Sequence, residues 1–106
     1  MEFNHFLTSY MPDPKIGSKV HFQNMIDQAV LAEKLGYKTV SIPEHHLVNL
    51  LMMPSPLQMA VKIATLTKKI NISTSVAVLP LHDMRTYAGE VATADILTEG
   101  RLILGV

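Results

Sequence analysis

The residues with the most chemical capacity are Glu44, His45 and His46, directly after Ile42-Pro43. Neutral imidazole titrates near neutrality, so a ring at the end of a strand can give or take a proton or steady a developing anion. Two adjacent imidazoles can face opposite ways, one toward a site and one toward the packing layer. His45 and His46 are therefore the candidate catalytic residues. Their bland alternative is structural, with both rings capping and bridging the loop. Zinc would need a third ligand from a distant strand, such as His82, and the His-Glu-x-x-His spacing of a helical zinc site is absent. No metal site is expected.

A second cluster is Ser73-Thr74-Ser75-Val76. Its hydroxyls either satisfy local polar groups on a half-buried strand or, being small, leave room for a flat ring against the backbone. Ser73, Ser75 and Val76 are cofactor-binding candidates on the second reading. Gly-x-Ser-x-Gly is missing, so these serines carry no hydrolase signature. A third cluster, Pro80-Leu81-His82-Asp83-Met84-Arg85, offers His82 as a cofactor contact and Asp83 as a helix cap. Arg85 is free to orient a phosphate or to pair with Glu90 or Asp95. Asn4 and His5, on the first strand, are cofactor contacts or layer filling.

These residues need elements to position them, and the punctuation supplies alternating strands and helices. Phe3 to Ser9 reads as a strand closed by Met11-Pro12-Asp13-Pro14, where two prolines bar a continuing ladder. Phe22, Met25, Ile26, Ala29, Ala32 and Leu35 recur at helical spacing over about Lys19 to Leu35, and Gly36 follows as a left-handed cap. Thr39 to Ile42 is a short strand. Ser55, Pro56 and Gln58 form a capping-box signature for a helix from Pro56 to about Lys69, packing through Met59, Ala60, Ile63, Ala64 and Thr67. The closing lysines would suit its dipole. Ile70 to Leu79 reads as a third strand, Asp83 to about Thr98 as a helix packing through Tyr87, Val91 and Ala94, and Arg101 to Val106 as a fourth strand.

The order βαβαβαβ predicts an α/β fold with a parallel sheet. A dinucleotide-binding unit would carry closely spaced glycines after its first strand, where this chain has Met11-Pro12-Asp13-Pro14 and an isolated Gly17. The remaining closed architecture is the TIM (β/α)8 barrel. A barrel takes about 250 residues, so residues 1–106 are expected to be its N-terminal portion, truncated at or just after strand four.

Composition narrows the function. Nine basic and nine acidic side chains balance, which gives no footprint for nucleic acid. The absence of cysteine excludes disulfides, thiolate nucleophiles and thiolate-bound metals. No apolar run reaches membrane-spanning length, and the N-terminus lacks a signal pattern, so no membrane partner and a cytoplasmic location are expected. Hydrophobic content of 48% is high for so short a chain, which suggests apolar surface covered by something else. Four strands leave open edges, so a homo-oligomer is expected, and a non-catalytic, self-associating module is the competing reading.

Phe3 through Tyr10, Leu35-Gly36-Tyr37, Thr39 through His46, Val78-Leu79-Pro80 and Leu97 through Val106 together resemble the bacterial luciferase-like flavin monooxygenases, in the family's order and spacing across essentially all 106 residues. The resemblance implies a TIM barrel that binds reduced FMN, supplied by a separate flavin reductase, and uses dioxygen to oxidise a small organic substrate. Some relatives use the deazaflavin F420 for hydride transfer instead. In the family pattern the His45 and His46 positions lie by flavin and substrate, and the second histidine matches the position linked to peroxyflavin chemistry. The strand around Ser75-Val76 matches a place where members often have a non-prolyl cis peptide supporting the isoalloxazine ring. The family also draws flavin-phosphate contacts from later strands, so residues 1–106 alone are expected to be inactive.

Overall fold

Side chains alternating across a pleated strand decide which face of the sheet is dry. In the computed structural model, which describes residues 1–106, strands β1 (Asn4–Phe6), β2 (Thr39–Ile42), β3 (Asn71–Thr74) and β4 (Leu102–Ile103) form one sheet in the order β1-β2-β3-β4. Every neighbouring pair is parallel, with Val40 opposite Ile72 and Ile72 opposite Leu102. Helices α1 (Ser18–Lys34), α2 (Pro56–Ala64) and α3 (Met84–Leu97) make the crossovers.

The core lies between the sheet and its helices. Leu7, Val40, Ile42, Ile70 and Ile72 meet Met25, Ile26 and Ala29 of α1 and Met59, Ala60 and Ile63 of α2. Burying each large aliphatic chain contributes about 1.5–3 kcal/mol. The opposite face carries Asn4, Phe6, Ser41, Ser73 and Ile103, and there Phe6 and Ile103 remain half exposed. That face is the inner wall of a partial (β/α)8 barrel. His5 instead points to the helices, within 3.1 Å of Gln28 and edge-on to Tyr37. It is layer filling.

Several boundaries differ from the sequence reading, each for a visible reason. α2 ends at Ala64, not Lys69, because hydroxyls take over its last carbonyls: Thr65 donates to Lys62 O and Thr67 to Ile63 O. Lys68 and Lys69 lie beyond the helix, and their N–H groups, with that of Ile70, donate to the Glu33 carboxylate at 2.7–3.0 Å. Ser55 makes no side-chain cap, so the capping box does not form. Leu35 ends α1 as its C-cap and is exposed rather than packed, and Gly36 has the left-handed φ of 86°.

β3 stops at Thr74 instead of Leu79. Ser75 N still donates to Ile42 O, but the Ser75–Val76 peptide is cis and Ala77 N goes across to Gly105 O. Asp83 does cap α3, accepting from Arg85 N at 3.0 Å. Arg85 pairs with that same Asp83 rather than with Glu90 or Asp95.

The lower end of the sheet, away from the strands' C-termini, is tied by Arg101. Its guanidinium donates to Ala64 O, Thr67 Oγ1, Ile70 O and Thr98 O, joining the ends of α2 and α3 to the start of β3. No helix is long and apolar enough to cross a membrane.

Candidate functional site

At the C-terminal ends of the strands, Glu44 gathers what the sequence scatters. Its side chain is fully buried, and Oε1 lies 2.6 Å from His46 Nε2 and 2.7 Å from His82 Nε2. Oε2 accepts from Val78 N at 2.8 Å. One carboxylate thus joins the loop after β2 to the segment between β3 and α3. His82 is further fixed by stacking on Tyr87, with ring centroids 4.1 Å apart.

Burial pushes the Glu44 carboxyl up, but hydrogen bonds from His46, Val78 N–H and His82, with the charge of His82, outweigh it and hold the group below its ordinary range. Tyr87 is raised by burial and by the nearby charges of Glu44 and Glu90, and its buried hydroxyl has no partner.

His45 is placed differently from its neighbour. Its backbone pairs with Met53, N donating to Met53 O at 2.8 Å, while its half-buried ring takes part in no side-chain hydrogen bond. One imidazole of the pair is thus tethered to Glu44 and the other is without a side-chain partner.

The inner wall carries a second polar group. Asn4 Nδ2 donates to Ser41 Oγ at 2.7 Å, and Ser41 Oγ lies 2.8 Å from Ser73 Oγ. Asn4 and Ser73 thus satisfy each other through Ser41, a link the sequence reading missed because a lone serine in a β-branched run carries no local signal. Ser75 and Val76 are exposed beyond the end of β3, next to the inner wall. Thr74 is occupied structurally, with Oγ1 bonded to both Gly105 O and Gly105 N. A Cβ at Gly105 would overlap the Thr74 carbonyl oxygen, so that approach requires glycine.

Glu44 is the functional candidate that sequence reasoning left without a role. The signal was present, since a carboxylate in the layer of a strand end must find donors. The partner His82, 38 residues away, is not visible from spacing.

A parallel sheet with helices outside, polar side chains within and histidines at its C-terminal edge is part of the wall of a (β/α)8 barrel. The profile of the luciferase-like monooxygenases matches residues 1–106, and the chain belongs to that family.

Among its relatives is the uncharacterized protein y4vJ of Sinorhizobium fredii, 38% identical over the whole chain, which spans 30% of that protein. The oxygenating constituent of 3,6-diketocamphane monooxygenase from Pseudomonas putida, solved in complex with FMN, superposes with a TM-score of 0.91 at 26% identity, over 98% of this chain and 28% of that one. An F420-dependent secondary alcohol dehydrogenase shares the fold, with a TM-score of 0.75 at 21% identity over 97% of this chain and 30% of that one. The chain thus spans about a third or less of the length of each.

Proposed function

We propose that the protein contributes the N-terminal part of an FMN-dependent monooxygenase, a single (β/α)8 barrel in which reduced flavin and dioxygen oxidise a small organic substrate. The observation that carries this reading is the division of the histidine pair beside an open inner wall. The residues present fit a flavin ring. Ser75 and Val76 are exposed at the end of β3, and Ser41 and Ser73 already hydrogen-bond each other, leaving a low surface there.

Reduced FMN, delivered by a separate reductase, would supply the electrons for oxygen activation. The chain's own residues bind, orient and move protons. His45, with no side-chain partner, is the ring available to hold or give a proton at the reacting oxygen. His46 is oriented by Glu44 through Nε2 and presents its other ring edge. Glu44 is a positioning residue, and Asn4, Ser73, Ser75, Val76 and His82 frame the cofactor side.

The test replaces His45 or His46 with alanine in the full-length protein supplied with reduced FMN. Product formation is expected to collapse while oxygen is still consumed. An unchanged ratio of product to oxygen would overturn the role of the pair. Turnover with F420 and no oxygen consumption would assign the site to hydride transfer instead.

A further inference from the structure

We infer that Glu44, His46 and His82 form a binding site for a late first-row divalent cation, with Zn²⁺ as the reference ion. Two imidazoles and one carboxylate are a donor set suited to such ions, and neither ring comes from a helical zinc motif. Both Nε2 atoms converge on one oxygen, at 2.6 and 2.7 Å, and the three donor atoms lie within 4.8 Å of one another. Tetrahedral zinc with bonds of 2.0–2.2 Å needs its donors about 3.3 Å apart. Each imidazole nitrogen therefore has to withdraw from the carboxylate by about 0.7 Å, while the two nitrogens, within 4.8 Å of each other, close to the same spacing.

The surroundings are those of a supported site. Glu44 Oε2 is anchored by Val78 N–H, and the His82 ring is held face-on by Tyr87, so two of the three ligands are oriented from outside the cluster. The His46 and His82 side chains keep 32% and 21% of their exposure, which leaves an open position for water. His82 also lines a groove of about 880 Å³ between α2 and α3, a path by which an ion can arrive. For coordination each ring must carry its proton on Nδ1 and offer Nε2 as the lone pair, so the ion replaces the two hydrogen bonds to Oε1. No redox step is involved. If the monooxygenase reading above holds, an ion here also takes His46 out of the reaction, making the site inhibitory; the binding itself does not rest on that reading.

The experiment titrates the metal-stripped full-length protein with Zn²⁺ against a chromophoric chelator, and with Co²⁺ to read the visible absorption of imidazole coordination. One equivalent is expected to bind, and His46→Gln and His82→Gln are each expected to weaken it 10–100-fold. His21→Gln, which alters a histidine buried in α1, should leave it unchanged, with circular dichroism confirming that all variants fold. Absence of binding by the folded protein, or affinity unchanged in both ligand variants, would overturn the site. Binding at one equivalent with turnover unaffected would support the site and overturn the role given to His46.

Discussion

A buried carboxylate with three hydrogen-bond partners holds each of them more strongly than an amide of the same shape. Glutamine at position 44 would keep its carbonyl on the Val78 N–H and turn its NH₂ to the two imidazoles, which can receive it only as Nδ1–H tautomers, so the charge of the acceptor is lost from all three bonds. Glu44→Gln is expected to destabilise the protein by about 1–2 kcal/mol at neutral pH, measured by urea unfolding. The native carboxyl is held below its ordinary value near 4.5, so its contribution is complete above that pH and is lost as the pH falls through the lowered folded value. The gap between variant and native protein should therefore narrow in acid. At this scale the sequence made the histidines visible and left Glu44 unassigned, because imidazole chemistry is a property of residue type whereas a carboxylate's role depends on which donors the fold brings to it. The same reason hid Ser41.

The elements are held together by long-range polar contacts as much as by the apolar layer. Glu33, at the end of α1, receives the N–H groups of Lys68, Lys69 and Ile70 and thereby sets where β3 begins. Burial raises its carboxyl, but those three backbone bonds and the charge of Arg101 prevail and lower it. Glu33→Gln is expected to cost about 1–2 kcal/mol at pH 7, a modest figure because most of these bonds face solvent. The loss should shrink in acid, as the pH falls through the lowered folded value and the native carboxylate is itself protonated, and thermal unfolding across pH checks both. Strand and helix order was legible from periodicity and from Pro and Gly punctuation, and the buried stripes of α1 and α2 were read almost residue for residue. The ends of α2 and β3 were not. Thr65, Thr67 and Glu33 end the helix through hydroxyl and carboxylate bonds, one of them from another element, and the alternation of Val76 and Val78 continues past Thr74 although the backbone leaves the ladder there.

For the whole molecule, the informative fact is a sheet covered on one face only, with two unpaired edges, β1 and β4. Phe6 and Ile103 on the inner wall are half exposed, and open edges beside apolar side chains favour association. The 106-residue chain on its own is expected to run in size-exclusion chromatography with light scattering above its 11.7 kDa monomer mass. Phe6→Lys, which puts a charge on the inner wall, should shift it toward the monomer. A monodisperse native monomer would argue against pairing through this face. The partial barrel was legible as a class because parallel strands demand crossover helices, while the uncovered wall follows from packing that composition only hinted at. The approach of Gly105 to Thr74 reaches further than local sterics. Position 105 admits one amino acid, since any side chain would push β4 off the carbonyl it rests against, whereas Gly89 on α3 faces open space and would accept alanine. Mutational drift in this protein is thus channelled: position 89 on the outer helix is free to vary, and position 105 at the seam between the third and fourth strands is closed to change.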